Sequence, residues 1–146
     1  MKVRVIGCVL ALMVCGCGRK KIADADLYNV QAAVPTGLPY PVMEWKAITA
    51  VVDRGSGTTG TLFGNDAAVS AARAGVAYPA GAVLGLVTWQ QREDPHWFGA
   101  RIPGSVVSVE FVVAGGADRL FVGTPWREVA GTSGKEIVGM KAAVAP

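Results

Sequence analysis

Glycine and proline clusters cut the chain from Trp45 to Gly123 into short runs of β-branched and aromatic residues. The runs recur at roughly ten-residue spacing, which suits short strands better than long helices, and tight turns between them favour antiparallel neighbours. Residues 45–52, ending Thr49-Ala50-Val51-Val52, predict a strand, and Asp53-Arg54-Gly55-Ser56-Gly57 a turn. Residues 58–63 return as its hairpin partner, since the intervening glycines supply the reversal. Residues 82–91 read as a buried strand, 96–102 as another closed by Pro103-Gly104, and 120–123 as a short one. Alternation in residues 105–113 sets Val107, Val109, Phe111 and Val113 on a buried face and Ser108, Glu110 and Val112 on the other.

Helical signals are few. Asn65 is placed as an N-cap, residues 66–74 are alanine-rich with Asp66 in the first turn and Arg73 in the last, and Gly75 follows. Residues 126–130 predict a further turn of helix before a last segment at 136–144. With 146 residues there is room for one domain. The fold class expected is mainly antiparallel β (α+β), a single β-sheet domain over residues 44–146 with one or two short helices.

Ahead of that domain the texture differs. Lys2 and Arg4 precede the apolar residues 5–14, and Val14-Cys15-Gly16-Cys17 follows. A cationic start, about ten apolar residues and small residues before a cysteine make residues 1–16 a lipoprotein signal peptide, too short to cross a ~30 Å hydrocarbon core. Cys17 is the expected lipidation site. Residues 17–43 then form the anchor and a tether, in which Pro35, Pro39 and Pro41 favour an extended spacer. Arg19-Lys20-Lys21 suits either anionic headgroups or a plain solvated tether. Gly18, standing where an aspartate would favour the inner membrane, directs the expectation to the periplasmic face of a bacterial outer membrane.

All three cysteines, Cys8, Cys15 and Cys17, fall in that leading segment. The domain therefore has no disulfide, no thiolate metal site, no cysteine nucleophile and no Cys-x-x-Cys-His for haem. Of 14 basic residues, Lys2 and Arg4 leave with the leader, which sets 12 against 11 acidic ones. Without a basic stripe, nucleic acid is not an expected partner.

Residues able to carry chemistry concentrate in 89–101, which hold the one histidine, Trp89, Trp97, Arg92, Arg101, Glu93 and Asp94. As a strand, residues 96–101 would set Trp97 and Arg101 on one side, as a cation–π floor or an anion pocket. Arg101 could instead bridge Glu110 on a neighbouring strand. His96 can serve as an axial haem ligand or an acid–base group oriented by Asp94 or Glu93, or simply as a corner residue beside Asp94-Pro95. The candidate ligand-binding set is Asp94, His96, Trp97, Arg101 and Glu110.

Other matches are weaker. Gly55-Ser56-Gly57-Thr58-Thr59-Gly60 spells a dinucleotide fingerprint but runs into a strand, so it reads as a hairpin turn. Gly64-Asn65-Asp66 could offer amides to an anion, though capping accounts for it. No Gly-x-Ser-x-Gly occurs and one histidine makes no metal cluster, so no catalytic or metal residues are assigned.

Trp45-Lys46-Ala47-Ile48-Thr49, residues 61–69 with their helix, Tyr78-Pro79-Ala80-Gly81-Ala82-Val83-Leu84 and Val109-Glu110-Phe111 together resemble the cytochrome P-460 domain over residues 44–143. The resemblance implies a mainly antiparallel β domain, often dimeric, whose haem-bearing members hold a c-type haem and act on hydroxylamine or bind nitric oxide. Those members attach haem through Cys-x-x-Cys-His near the C-terminus, and some cross-link it to a lysine on the strand after Tyr-Pro-x-Gly. This chain has neither cysteine nor histidine there and no lysine over residues 82–89, so it looks closest to a haem-less, lipoprotein-type branch with no cofactor expected. The leading expectation is a lipid-anchored envelope protein that binds a small molecule or an envelope partner without turnover, with a homodimer in view. The alternative is a redox enzyme, or a nitric oxide or hydroxylamine-type gas-binding protein, holding haem non-covalently on His96. A structural envelope component using a sheet edge is a third.

Overall fold

The computed structural model describes residues 28–123 and 126–129. The leader, Cys17, Arg19-Lys20-Lys21 and the segment 136–144 lie outside the described residues.

Six strands, β1 (Lys46–Asp53), β2 (Thr58–Gly64), β3 (Val83–Glu93), β4 (Arg101–Val113), β5 (Arg119–Val122) and β6 (Arg127–Val129), form one sheet in chain order. Every neighbouring pair is antiparallel. Among the described residues, one helix, α1 (Asp66–Ala74), and two single 3-10 turns, Val30–Ala32 and Val42–Glu44, complete the elements. This is the mainly β, single-sheet class that the spacing of the runs predicts.

The β1–β2 reversal is closed by Asp53, whose carboxylate accepts from the Gly55 and Ser56 backbone N–H groups and from the Ser56 hydroxyl. Gly57 takes φ +66, open to glycine without strain. At the other end of β2, Asn65 caps α1 by accepting from Ala68 N at 3.0 Å, and Gly75 ends the helix in the left-handed region. The same Asn65 side chain accepts from Val83 N at 3.2 Å and donates to Gly81 O at 2.9 Å. One amide thus pins the helix start to the start of β3.

Both faces of the sheet are covered. Leu62, Leu84 and Leu86 pack with Ala68 of α1 on one face. On the other, Val83, Val87, Trp89, Val109, Phe111 and Phe121 meet the leading segment, from which Val42 is buried and Ala32, Val34, Leu38, Tyr40 and Trp45 pack in. Phe111 lies at the centre, with the rings of Tyr40, Phe121 and Trp45 at 5.1, 6.0 and 6.3 Å. Burial of these rings, each an area of some 150–250 Å², is the chief source of stability on this face. The proline-rich stretch is therefore part of the packed domain, and the Trp89 indole N–H donates to Ala32 O at 2.9 Å.

Four expectations are corrected. Residues 96–100 form a turn and not a strand, because Pro95 and the positive φ of Gly99 interrupt the extended chain. Pro103-Gly104 does not end the strand. β4 runs through it, and Pro103, which has no N–H to give, sits where β4 has no second neighbour among the described residues. A bulge follows, since Trp89 pairs with Val106 and Thr88 with Ser108, leaving Val107 extra. Val106 consequently packs on the core while Val107 is exposed. Finally, residues 127–129 extend the sheet as β6 instead of turning as a helix, with Val129 paired to Leu120.

Candidate functional site

β2 stops pairing with β3 at Gln90, and β5 reaches β4 only as far as Ser108. The pairs Arg92–Ile102 and Glu93–Arg101 lie past both limits, so the β3–β4 hairpin projects as a two-stranded arm. Gln91 braces its root by donating from its side chain to Thr58 O and Thr59 Oγ1. On its core-side face Asn29 donates to Pro103 O and accepts from Arg92 Nη2 at 3.1 Å. Arg92 Nε is buried without a partner among the described residues.

The tip carries Asp94, His96 and Trp97, but in roles other than those that strand geometry predicts. Asp94 Oδ1 accepts from the His96 backbone N–H at 2.8 Å, so this carboxylate holds the turn. Among the described residues no hydrogen bond joins it to the imidazole, which is exposed. Trp97 and Phe98 are also exposed, and the Trp97–Arg101 stacking that a strand would allow is replaced by a turn. The cation–π pair observed is Arg119 over Phe121, at 5.3 Å. Arg119 is also held by two 2.7 Å bonds to Glu128, which raise the guanidinium and lower the carboxyl relative to their ordinary pKa values.

Arg101 and Glu110 do not meet. They share β4 at opposite ends, nine residues and roughly 30 Å apart. Arg101 faces Glu93 at 4.0 Å, an exposed pair of small energetic weight. Glu110 is 7% exposed, opposite Leu86 and Leu120. Of the five candidate residues, the structure groups Asp94, His96, Trp97 and Arg101 at the arm and leaves Glu110 in the sheet.

Sequence reasoning missed the other half of the site. Between the arm and the β1–β2 turn lies an open basin of about 490 Å³, lined by Val52, Arg54, Gly57, Thr59, Gln91, Gly99 and Arg101. Among the described residues no hydrogen bond or ion pair engages the Arg54 side chain, so two guanidinium groups border one depression with Thr59 and Gln91 between them. Guanidinium pairs of this kind suit carboxylates and phosphates. The signal lay in the turn Asp53-Arg54-Gly55, whose arginine has no structural work there.

Haem, which the resemblance implies, does not fit these residues. Covalent attachment needs thiols, and no cysteine follows Cys17. The one imidazole stands on a solvent-facing turn, and β3, with sequence Val-Leu-Gly-Leu-Val-Thr-Trp-Gln-Gln-Arg-Glu, offers no lysine for a cross-link. Among the described residues no group of His, Cys, Asp and Glu forms a metal site.

A comparison with curated proteins finds no match. The sequence model of the family described as Cytochrome P460 matches residues 40–124, a span that begins in the segment packed on Phe111 and runs through β5. That match covers more than half of the chain and includes the Asn65 staple and the hairpin arm, and the chain therefore belongs to the cytochrome P460 family.

Proposed function

We propose that the chain is a lipid-anchored protein of the bacterial cell envelope, carried on Cys17 at the periplasmic face of the outer membrane. Its cytochrome P460-type sheet acts as a binding module for a small anionic molecule, or for an acidic group of an envelope partner, and does not turn its ligand over. The observation that carries the binding assignment is the basin bordered by Arg54 and Arg101. Two forked donors, with the hydroxyl of Thr59 beside them, suit a planar or tetrahedral anion. The leader residues Val14-Cys15-Gly16-Cys17 support the anchor.

The test is a titration of the full chain with citrate and with inorganic phosphate, followed by tryptophan fluorescence. Saturable binding by wild type that is lost in Arg54→Gln and Arg101→Gln supports the reading. Equal responses of wild type and both variants overturn it. A parallel titration with haemin is expected to give no saturable Soret shift, whereas a one-to-one shift abolished by His96→Ala would replace this reading with a haem-based one.

A further inference from the structure

Trp97 and Phe98 stand at the end of the arm with 74% and 105% of their surfaces exposed. Scattered apolar side chains on a surface are ordinary, but two adjacent aromatic rings held out on a built turn are not. The turn closes its own polar groups: His96 N donates to Asp94 Oδ1, Ala100 N to Trp97 O at 3.1 Å, and Asp94 N to Ala100 O at 3.0 Å. The remaining N–H groups, those of Trp97, Phe98 and Gly99, take no partner among the described residues, so the tip suits the hydrated headgroup layer, where those donors keep their water, and not the hydrocarbon core.

The chain also reaches the domain at this end. Asn29 is fixed to Arg92 and Pro103, so Tyr28 and Val30, 71% and 75% exposed, sit beside the base of the arm. From Cys17 to Tyr28 is eleven residues, which span at most about 40 Å in any conformation. The arm is therefore within reach of whatever surface holds Cys17.

We propose that the tip of the β3–β4 arm, Trp97 and Phe98 with Tyr28 beside them, seats in the interfacial layer of the bilayer that anchors the chain. This rests on the lipid-anchor reading above. Around the arm Arg54, Arg92 and Arg101 are balanced by Asp53, Glu93 and Asp94, so the seat is nearly neutral. Ring burial at the headgroup level drives it, and attraction to phosphate does not.

The experiment uses the full chain expressed with its leader and reconstituted into vesicles of phosphatidylcholine, with and without phosphatidylglycerol, carrying bromine on shallow acyl positions. Trp45, Trp89 and Trp126 are buried or half-buried, so quenching by bromine reports chiefly on Trp97. Wild type is expected to be quenched equally in both lipid mixtures and at raised salt, and Trp97→Phe to lose most of that quenching. Equal quenching of wild type and Trp97→Phe overturns the proposal, as does quenching that needs phosphatidylglycerol and vanishes in salt. Fractionation of Cys17→Ala cells reads the anchor separately. Release of that variant together with equal quenching of wild type and Trp97→Phe keeps the anchor and rejects the seated tip. Retention of that variant rejects the anchor on its own ground, whatever the vesicles show.

Discussion

Asn65 is bonded to Val83 across eighteen residues of chain, its Oδ1 accepting from the Val83 N–H at 3.2 Å while also capping α1 through Ala68. A single amide side chain therefore sets where α1 begins, where β3 begins and how the two meet. The Gly64-Asn65-Asp66 and Tyr78-Pro79-Ala80-Gly81 pieces, remote in sequence, are two ends of that one connection.

Asn65→Ala should cost about 2–3 kcal/mol in chemical denaturation. Loss of the cap accounts for about 1 kcal/mol, and the Val83 N–H and Gly81 carbonyl left without their partner account for the remainder. Asn65→Asp keeps both accepting roles but sets a carboxylate oxygen against the exposed Gly81 carbonyl where the N–H stood, a repulsion that water weakens there, so it should still cost less than Asn65→Ala. Equal losses for the two variants would contradict this.

Several packed strand positions require glycine, Gly85 and Gly104 among them. A Cβ on Gly85 would lie 2.7 Å from Val42 and 3.2 Å from the Phe111 ring, and one on Gly104 would lie 2.9 Å from the Gln90 carbonyl oxygen. Gly85→Ala should destabilise by about 1–3 kcal/mol through overpacking. Gly104→Ala meets backbone rather than a movable side chain, so it should also shift the amide resonances of residues 90–92 and 104–106. An unchanged melting curve for Gly85→Ala would show that the leading segment is not seated on Phe111.

The β1–β2 turn should loosen in acid. Hydrogen bonds from the Ser56 hydroxyl and from the Ser56 and Gly55 amides hold the Asp53 carboxyl below its ordinary pKa of 3.8. Because the folded value is depressed, the stabilisation is fully present above pH 3.8 and is lost as pH falls through the lower, folded value. Amide exchange at Gly55 and Ser56 should rise over that acid window in wild type and be independent of pH, beyond intrinsic exchange, in Asp53→Asn. A carboxyl titrating at or above its ordinary value would refute the arrangement.

Trp89→Phe removes the donor to Ala32 O and shrinks a buried indole to a benzene ring, so the lost bond and the cavity together should cost about 2–4 kcal/mol. Its local signature is faster amide exchange at Ala32 and Ala33, whose N–H groups bond to Asn29 O and Val30 O in the adjoining 3-10 turn. Unchanged exchange there would mean that the indole bond does not hold the segment.

β1, β2, β3, β5, the alternating part of β4, the helix and both of its caps were legible because each rests on local signals: β-branched runs, glycine at a reversal, asparagine before an alanine-rich stretch; β6, three residues long and held by pairing to β5, carries no such signal. The register was not. Whether Val106 or Val107 faces the core depends on the bulge opposite Trp89, and a bulge is set by the packing of two strands together. The arm was misread for a similar reason, since Pro95, Gly99 and the Asp94 side chain together favour a turn over a strand at residues 96–100. Arg101 was legible as a candidate, whereas Arg54 entered the site only through the tertiary approach of two turns.

The central claim is that this cytochrome P460-family domain is held on a membrane through Cys17, and mass spectrometry of the mature N-terminal peptide tests it most directly. The account predicts a chain beginning at a diacylglyceryl-modified Cys17, with Cys17→Ala released into the soluble fraction. A mature chain that begins elsewhere without lipid, or a Cys17→Ala variant that stays with the membrane, would contradict it.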